Sequence, residues 1–271
     1  MSQNPKPNKK GAMFGGLGVL GILALKMKGL GLLFLNGMSL LKLGWLLKSS
    51  LSMFIVLGMY TMMFGPLYAV IVVVLLLIHE MGHFIFMKFF GLDPKAPMFI
   101  PFVGAYVAMD KMPADRATHA WVALAGPLVG GVTSAIFFYL GVQYNIRILM
   151  AAGATGCMLN MIQLIPARPL DGGFVVHAIS RWMLIPGTGM AFAAAIFLQS
   201  PLFFIVAIMS VIQTIAAFRN GPIADGQKDA TLPEKVVIGI AYFTLAGVLG
   251  YLYWMFTNET MVFMPANQAG S

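Results

Sequence analysis

The chain has 271 residues, of which 59% are apolar and 10% are charged, and its formal net charge is +8. Soluble domains carry about 25% charged residues, and the mean hydropathy of +0.86 excludes that class here. The lysines lie near the ends of apolar segments and not in a basic stripe with interleaved aromatic residues, which excludes nucleic-acid binding. The composition therefore predicts a polytopic helical protein of the lipid bilayer.

The N-terminal region is rich in glycine and leucine but is interrupted by lysines. It lacks a convincing small-residue cleavage site, so we do not expect a signal peptide to be removed. We expect residues 1–49 to form a basic tail and an interfacial amphipathic region whose lysines reach the headgroups; one imperfect span over 11–49 is the alternative. The single cysteine, Cys157, excludes an intramolecular disulfide.

Six apolar segments then follow, several of them near the about 20 residues that a bilayer helix needs. Pro201 is expected to kink the fifth. The segments define one domain over 50–256 and leave a C-terminal tail over 257–271. The predicted spans are residues 50–65, 67–90, 119–141, 146–166, 190–218 and 235–256.

Six crossings would place both ends of the chain on one side of the membrane. In that arrangement thirteen of the 17 Lys and Arg residues share the side of the termini. Because basic loops stay inside, we predict that both termini are cytoplasmic and that the protein lies in the cell membrane. The four basic residues on the other side would be Arg147, Arg219, Lys228 and Lys235.

The stretch "MFIPFVGAYVAM", residues 98–109, is too short to span and is interrupted by Pro101 and Gly104. Its aromatic and β-branched residues predict a strand or hairpin that lies against protein or a watered cavity at membrane depth. The expected fold is thus an all-α polytopic membrane protein of about six transmembrane helices. An N-terminal interfacial region and a short membrane-associated β element complete it.

The motif HEMGH, residues 79–83, places ionisable groups inside the second apolar segment. His79 and His83 lie one helical turn apart on one face, a spacing at which two imidazoles bind one zinc ion, with Glu80 positioned as general base. The chain has only four histidines and three glutamates, and two plus one of them fall in these five positions. Ionisable groups in hydrocarbon are functional by default, so the motif predicts a metal site rather than a core cluster.

A catalytic zinc ion needs a third protein ligand and an open fourth position. Asp171 in "PLDGG" follows the fourth segment, which runs in the same direction as the second, so it reaches a comparable depth. It is the preferred third ligand, and His177 is the rival. His119 is read as an interfacial residue. The other acids on that side lie among basic residues and are read as surface groups: Asp93, Asp110 and Asp115.

Together these motifs resemble the site-2 proteases, intramembrane zinc metalloproteases that cut transmembrane segments of other proteins. The resemblance covers about residues 50–256. HExxH lies in the second predicted span, Gly126 and Pro127 lie in the third, and LDGG follows the fourth. It implies that His79, His83 and Asp171 bind one zinc ion and that Glu80 is the general base. It also implies that "PFVGAY" belongs to a β element that holds the substrate extended by strand addition.

One position departs from the family pattern. Where the family usually has an asparagine eight residues before the aspartate, this chain has Gln163, with Asn160 one turn earlier. The resemblance implies that an amide there holds the substrate backbone or the oxyanion, and either side chain could serve. No segment is long enough for an added soluble domain, so we expect a minimal member of the family.

The expected function is therefore zinc-dependent hydrolysis of peptide bonds in or near transmembrane segments of substrate proteins, at a site toward the cytoplasm. Two alternatives remain: a membrane zinc-binding or transport protein, and an inactive homologue that binds transmembrane segments. A transporter usually carries ionisable residues along several spans, and the spans other than the second are almost free of acids and histidines. A mere binder has no need of Glu80.

Overall fold

The computed structural model of the chain describes residues 44, 47–100, 104–197, 199–219 and 226–262. The chain divides after Lys48 into the units Met1–Lys48 and Ser49–Ser271, and the architecture below is that of the second unit. The predicted interfacial region lies almost wholly outside the described residues, as do residues 263–271 of the predicted tail.

The described part is mostly helical, with one small antiparallel sheet whose register pairs Met98 with Tyr106. Four of its helices are long and apolar enough to cross a bilayer: α1, α2, α3 and α8. The coarse prediction of a helical membrane protein with a short β element is confirmed. The elements in chain order are α1 Leu47–Phe64, α2 Pro66–Phe89, β1 Met98–Ile100, β2 Gly104–Tyr106, α3 Arg116–Gln143, α4 Arg147–Gln163, α5 Asp171–Ile179, α6 Leu184–Phe197, α7 Pro201–Arg219 and α8 Leu232–Val262.

Helices α1 and α2 form an antiparallel hairpin around Gly65. Gly65 has a φ of 84°, a conformation that favours glycine, and a proline begins α2, where its missing N–H costs no hydrogen bond. Val56 of α1 and Val73 of α2 pack together against Phe99 of β1. The backbone N–H of Phe99 donates to Ser52 Oγ at 3.0 Å, so the sheet lies beside the beginning of α1.

The predicted fifth span, residues 190–218, is wrong, because this segment contains two helices that fold back on each other. Thr188 Oγ1 lies 2.8 Å from Ser210 Oγ, and these two residues are equally distant in sequence from Gln199. Gln199 has a φ of 47°, a left-handed conformation that ends a helix. Pro201 begins the next helix instead of kinking a continuous one.

This hairpin reverses the predicted direction of α8. Near the beginning of α3, Arg116 Nη1 lies 3.4 Å from Asp229 Oδ1, just before α8 begins. Toward the other end of α3, the rings of Phe138 and Phe256 stack with centroids 3.8 Å apart. Helices α3 and α8 therefore run parallel, and α8 begins at the end of the bundle where α3 begins.

The predicted placement of Arg219, Lys228 and Lys235 opposite the connection between α2 and α3 is consequently wrong. A hairpin returns the chain to the end from which it came, so α1 begins at one end of the bundle and α8 finishes at the other. The prediction that both termini share one side concerns residues outside the described part of the chain. Among the described residues, Arg147 is then the only Lys or Arg at the far end, so the charge asymmetry is stronger than predicted.

Thiol labelling tests this topology. Single cysteines can be introduced at the exposed positions Lys111, Gln143 and Lys228 and probed with a membrane-impermeant maleimide in sealed vesicles. The native Cys157 is buried and should not react with the maleimide. Lys111→Cys and Lys228→Cys are expected to react from the same side and Gln143→Cys from the other. If Lys228→Cys reacted together with Gln143→Cys, the hairpin would be contradicted.

Candidate metal centre

Helix α2 presents His79 and His83 from one face, and both are buried, at 4% and 7% exposure. Their Nε2 atoms lie 3.1 Å apart. Asp171, the first residue of α5, places Oδ2 3.1 Å from His79 Nε2 and 3.3 Å from His83 Nε2. Two helices that are distant in sequence thus bring three potential ligand atoms to one point.

The far nitrogen of each imidazole is held by a neighbouring helix. His83 Nδ1 lies 2.7 Å from the Val122 carbonyl of α3, which can only accept, so Nδ1 donates. Asn160 of α4 donates through Nδ2 to the Gly156 carbonyl at 2.7 Å, which turns its Oδ1 toward His79 Nδ1 at 2.8 Å. In the neutral rings both Nε2 lone pairs therefore face the Asp171 carboxylate.

This arrangement fits a divalent cation. Three acceptor atoms face one another in a buried site, and Asp171 Oδ2 has no hydrogen-bond donor among the described residues. Atoms that share a tetrahedral zinc ion at about 2.0–2.1 Å lie about 3.3 Å apart, close to the separations found here. Two imidazole nitrogens and a carboxylate oxygen are also a donor set that zinc prefers.

Helix α3 approaches the site closely enough to require a glycine. A Cβ built on Gly126 would lie 2.3 Å from His83 Nε2 and 2.8 Å from His79 Nε2. A second close approach occurs at Gly82 of α2, where a Cβ would lie 2.5 Å from the Ala125 carbonyl oxygen. The backbone of α3 at Gly126 thus packs directly against the two imidazoles.

Glu80 lies between the two histidines in sequence but does not join their cluster of ligand atoms. It is 2% exposed, and its Oε2 has no hydrogen-bond partner in the described part of the chain. With His79, His83 and Asp171 it lines a cavity of about 270 Å³ between α2, α3, α5 and the stretch around β2. Its carboxylate is therefore available to react with a molecule in this cavity.

The two amides named by sequence have different surroundings. Asn160 is 2% exposed, and its Oδ1 is already bonded to His79. Gln163, the last residue of α4, lines the cavity that contains Glu80 and also a neighbouring apolar cavity. Of the two, Gln163 is the one whose side chain faces both cavities. His177, the rival third ligand, is bonded elsewhere, with Nδ1 2.5 Å from Arg168 Nη2.

The reading of His119 as an interfacial residue is wrong. It is 8% exposed and lines the same cavity as Glu80. Its ring centroid lies 4.7 Å from that of Phe174, and its Nδ1 lies 3.3 Å from Gln227 Nε2. Nothing near His119 in sequence signals this, because the buried Gln227 comes from the segment that precedes α8.

The chain is similar to known metalloproteases over part of its length. Residues 67–146, which hold HEMGH and Gly126 but not Asp171, match peptidase family M50. The chain is similar to zinc metalloprotease MJ0392 of Methanocaldococcus jannaschii, at 28% identity over 133 residues, covering 46% of this chain and 38% of that protein. It is also similar to the probable chloroplastic zinc metalloprotease EGY2 of Arabidopsis thaliana, at 26% identity over 243 residues, covering 72% of this chain and 43% of that protein.

The chain thus matches less than half the length of either curated relative. Among solved structures it is similar to the site-2 protease from Methanocaldococcus jannaschii, with a TM-score of 0.42 and 20% identity. That likeness covers 72% of this chain and 85% of the other.

Replacing Gly126 by alanine tests the close approach of α3. We expect Gly126→Ala to lose stoichiometric zinc, because the new Cβ would displace both imidazoles. Gly131→Ala on the same helix is the matched control, since its Cβ would meet first the flexible Leu249 Cδ2. Metal analysis of both purified variants measures the difference, and equal zinc content would contradict the packing.

Proposed function

We propose that this chain is a zinc-dependent intramembrane endopeptidase of the site-2 protease type. Its matches to peptidase family M50 and to curated zinc metalloproteases support this proposal. The substrates would be transmembrane segments of other proteins. The observation that carries the proposal is the convergence of His79, His83 and Asp171 beside the buried Glu80, whose Oε2 has no hydrogen-bond partner among the described residues. A protein that only bound segments or carried zinc would have no use for that carboxylate.

In this proposal His79 and His83 hold one zinc ion through Nε2, and Asp171 holds it through its carboxylate. When bound, zinc supplies Lewis-acid polarisation of a carbonyl and acidifies water. The hydrogen bonds from the two Nδ1 atoms to Asn160 and Val122 keep both lone pairs directed at the ion. Asn160 is therefore a positioning residue for His79.

Glu80 would take the proton from the attacking water and later deliver it to the leaving amine. Its burial excludes bulk solvent from this exchange, and the cavity it lines gives room for the water and the scissile peptide. Gln163, which lines this cavity, would donate from its amide to the substrate carbonyl or to the oxyanion that develops there. The role that the family resemblance left open between Asn160 and Gln163 is thus assigned to Gln163.

The short sheet would align the substrate. Strand β2 passes both cavities, with Gly104 at the apolar one and Ala105 at the one that contains Glu80. An extended peptide could hydrogen-bond along such a strand, which would expose its backbone to the site as a helix cannot.

For the orientation in the membrane, we propose that the end of the bundle where α3 and α8 begin faces the cytoplasm. The asymmetry of basic residues supports this choice, and it keeps the site toward the cytoplasmic side of the cell membrane. The metalloprotease domain would cover residues 50–256, with α6 and α7 as a hairpin instead of a single crossing.

Glu80→Gln tests the chemistry. This variant is expected to keep zinc and to lose cleavage of single-span substrates in detergent, because it removes the base and none of the ligands. His79→Ala and Asp171→Ala are expected to lose the metal itself, whereas Asp93→Asn, at a side chain 85% exposed, should retain metal and activity. Cleavage by Glu80→Gln would contradict the mechanism.

The two amides can be separated by one pair of variants. Asn160→Ala is expected to weaken zinc binding by about 10–100-fold, the usual effect of losing the hydrogen-bond partner of a ligand. Gln163→Ala should keep its zinc and lower kcat by about 100-fold, as expected for a lost oxyanion donor. Chelator competition and single-substrate kinetics measure the two effects, and equal zinc affinities in both variants would refute the assignment.

A further inference from the structure

A second cavity, of about 160 Å³, lies beside His79 and extends away from Glu80. Helices α1, α2, α4 and α7 supply most of its wall, and none of its lining residues is Asp, Glu, Lys or Arg among the residues that the structure describes. Its main apolar side chains are Tyr60, Leu75, Leu76, Leu159, Phe203 and Val206. No step of the proposed hydrolysis uses this cavity.

The apolar cavity adjoins the cavity that contains Glu80, because the two cavities share lining residues. His79 and Gln163 line both. Gly104 lines the apolar cavity, while its neighbours Ala105 and Tyr106 line the other. A peptide that lies along β2 at the metal site therefore passes the mouth of the apolar cavity within one or two residues, since a strand advances about 3.3 Å per residue.

Gly104 lines the apolar cavity and has no side chain. A Cβ at Gly104 would meet no atom of the described residues within 4 Å, and its φ of 118° is a conformation that L side chains rarely adopt. The described residues therefore leave space beside Gly104, where β2 lines the apolar cavity.

We infer that this cavity selects a large apolar side chain, such as phenylalanine or leucine, at a position flanking the scissile bond. The inference rests on the proposed function. An apolar cavity of about 150 Å³ lined by Leu, Ile and Phe holds a benzene molecule, so the present cavity has room for a phenyl ring. The described lining offers a charged side chain no Asp, Glu, Lys or Arg to pair with, so its burial would be unfavourable, whereas alanine would leave the cavity unfilled.

The experiment uses the full-length protein with zinc in detergent and one single-span substrate whose cleaved bond is located by mass spectrometry. The two residues that flank the bond are changed in turn to Phe, Leu, Ala and Asp, and kcat/KM is measured for each. At one of the two positions we expect Phe and Leu to exceed Ala by at least about tenfold, and the Asp substrate to resist cleavage.

A filled cavity should remove this preference. Val206→Phe introduces a ring into the cavity from α7 and should lower kcat/KM for the Phe substrate at least tenfold, while the Ala substrate is cleaved as before. Ile205→Phe is the matched control, because Ile205 is 55% exposed on the same helix, and it should leave both values unchanged. Zinc content verifies that each variant keeps its site.

The outcomes separate the two proposals. If zinc-loaded wild-type protein cleaves no peptide, the proposed function fails and the inference fails with it. If the wild-type protein cleaves the Phe, Ala and Asp substrates at equal rates at both positions, the inference alone is overturned. The wild-type series decides this by itself, whether or not Val206→Phe folds.

Discussion

The mutual repulsion of three buried acceptor atoms is the constraint on which the rest of this structure depends. His79 Nε2, His83 Nε2 and Asp171 Oδ2 lie within 3.3 Å of one another, and their lone pairs can be held together only by a shared cation or added protons. Each far nitrogen is fixed from a different helix, by Val122 of α3 and Asn160 of α4. The site thus joins α2, α3, α4 and α5, and a shift in any of them changes its geometry.

Glycines make this close packing of helices around the site possible. Lipid offers no hydrophobic force between helices, so close packing of small residues must supply the attraction. At Gly126 the backbone of α3 reaches the imidazoles, and at Gly130 a Cβ would lie 2.2 Å from Asn160 Oδ1. The same glycines that bring the helices together therefore leave room for the two imidazoles and for the Asn160 side chain that is bonded to one of them.

What the sequence could predict was local or followed from span direction. Helical periodicity alone places His79 and His83 on one face, and equal span directions bring Asp171 to their depth. The hairpin of α6 and α7 was missed because hydropathy is continuous across it and a proline can either kink or begin a helix. The positive-inside rule could not expose the error, because thirteen of the 17 basic residues already shared one side in the predicted arrangement. The burial of His119 depends on Gln227, more than 100 residues away, and no local pattern encodes that contact.

Hydrolysis inside a membrane requires water on one side of the scissile bond while the substrate is held by apolar contacts on the other. In the proposed function the two cavities would divide these tasks, because one contains the carboxylate of Glu80 and the other is lined mainly by apolar side chains. They meet at His79 and Gln163, the one a proposed metal ligand and the other the proposed oxyanion donor. A peptide along β2 would thus have its carbonyl at this boundary. The position of β2, rather than the metal site alone, would then decide which bond of a transmembrane segment is cut.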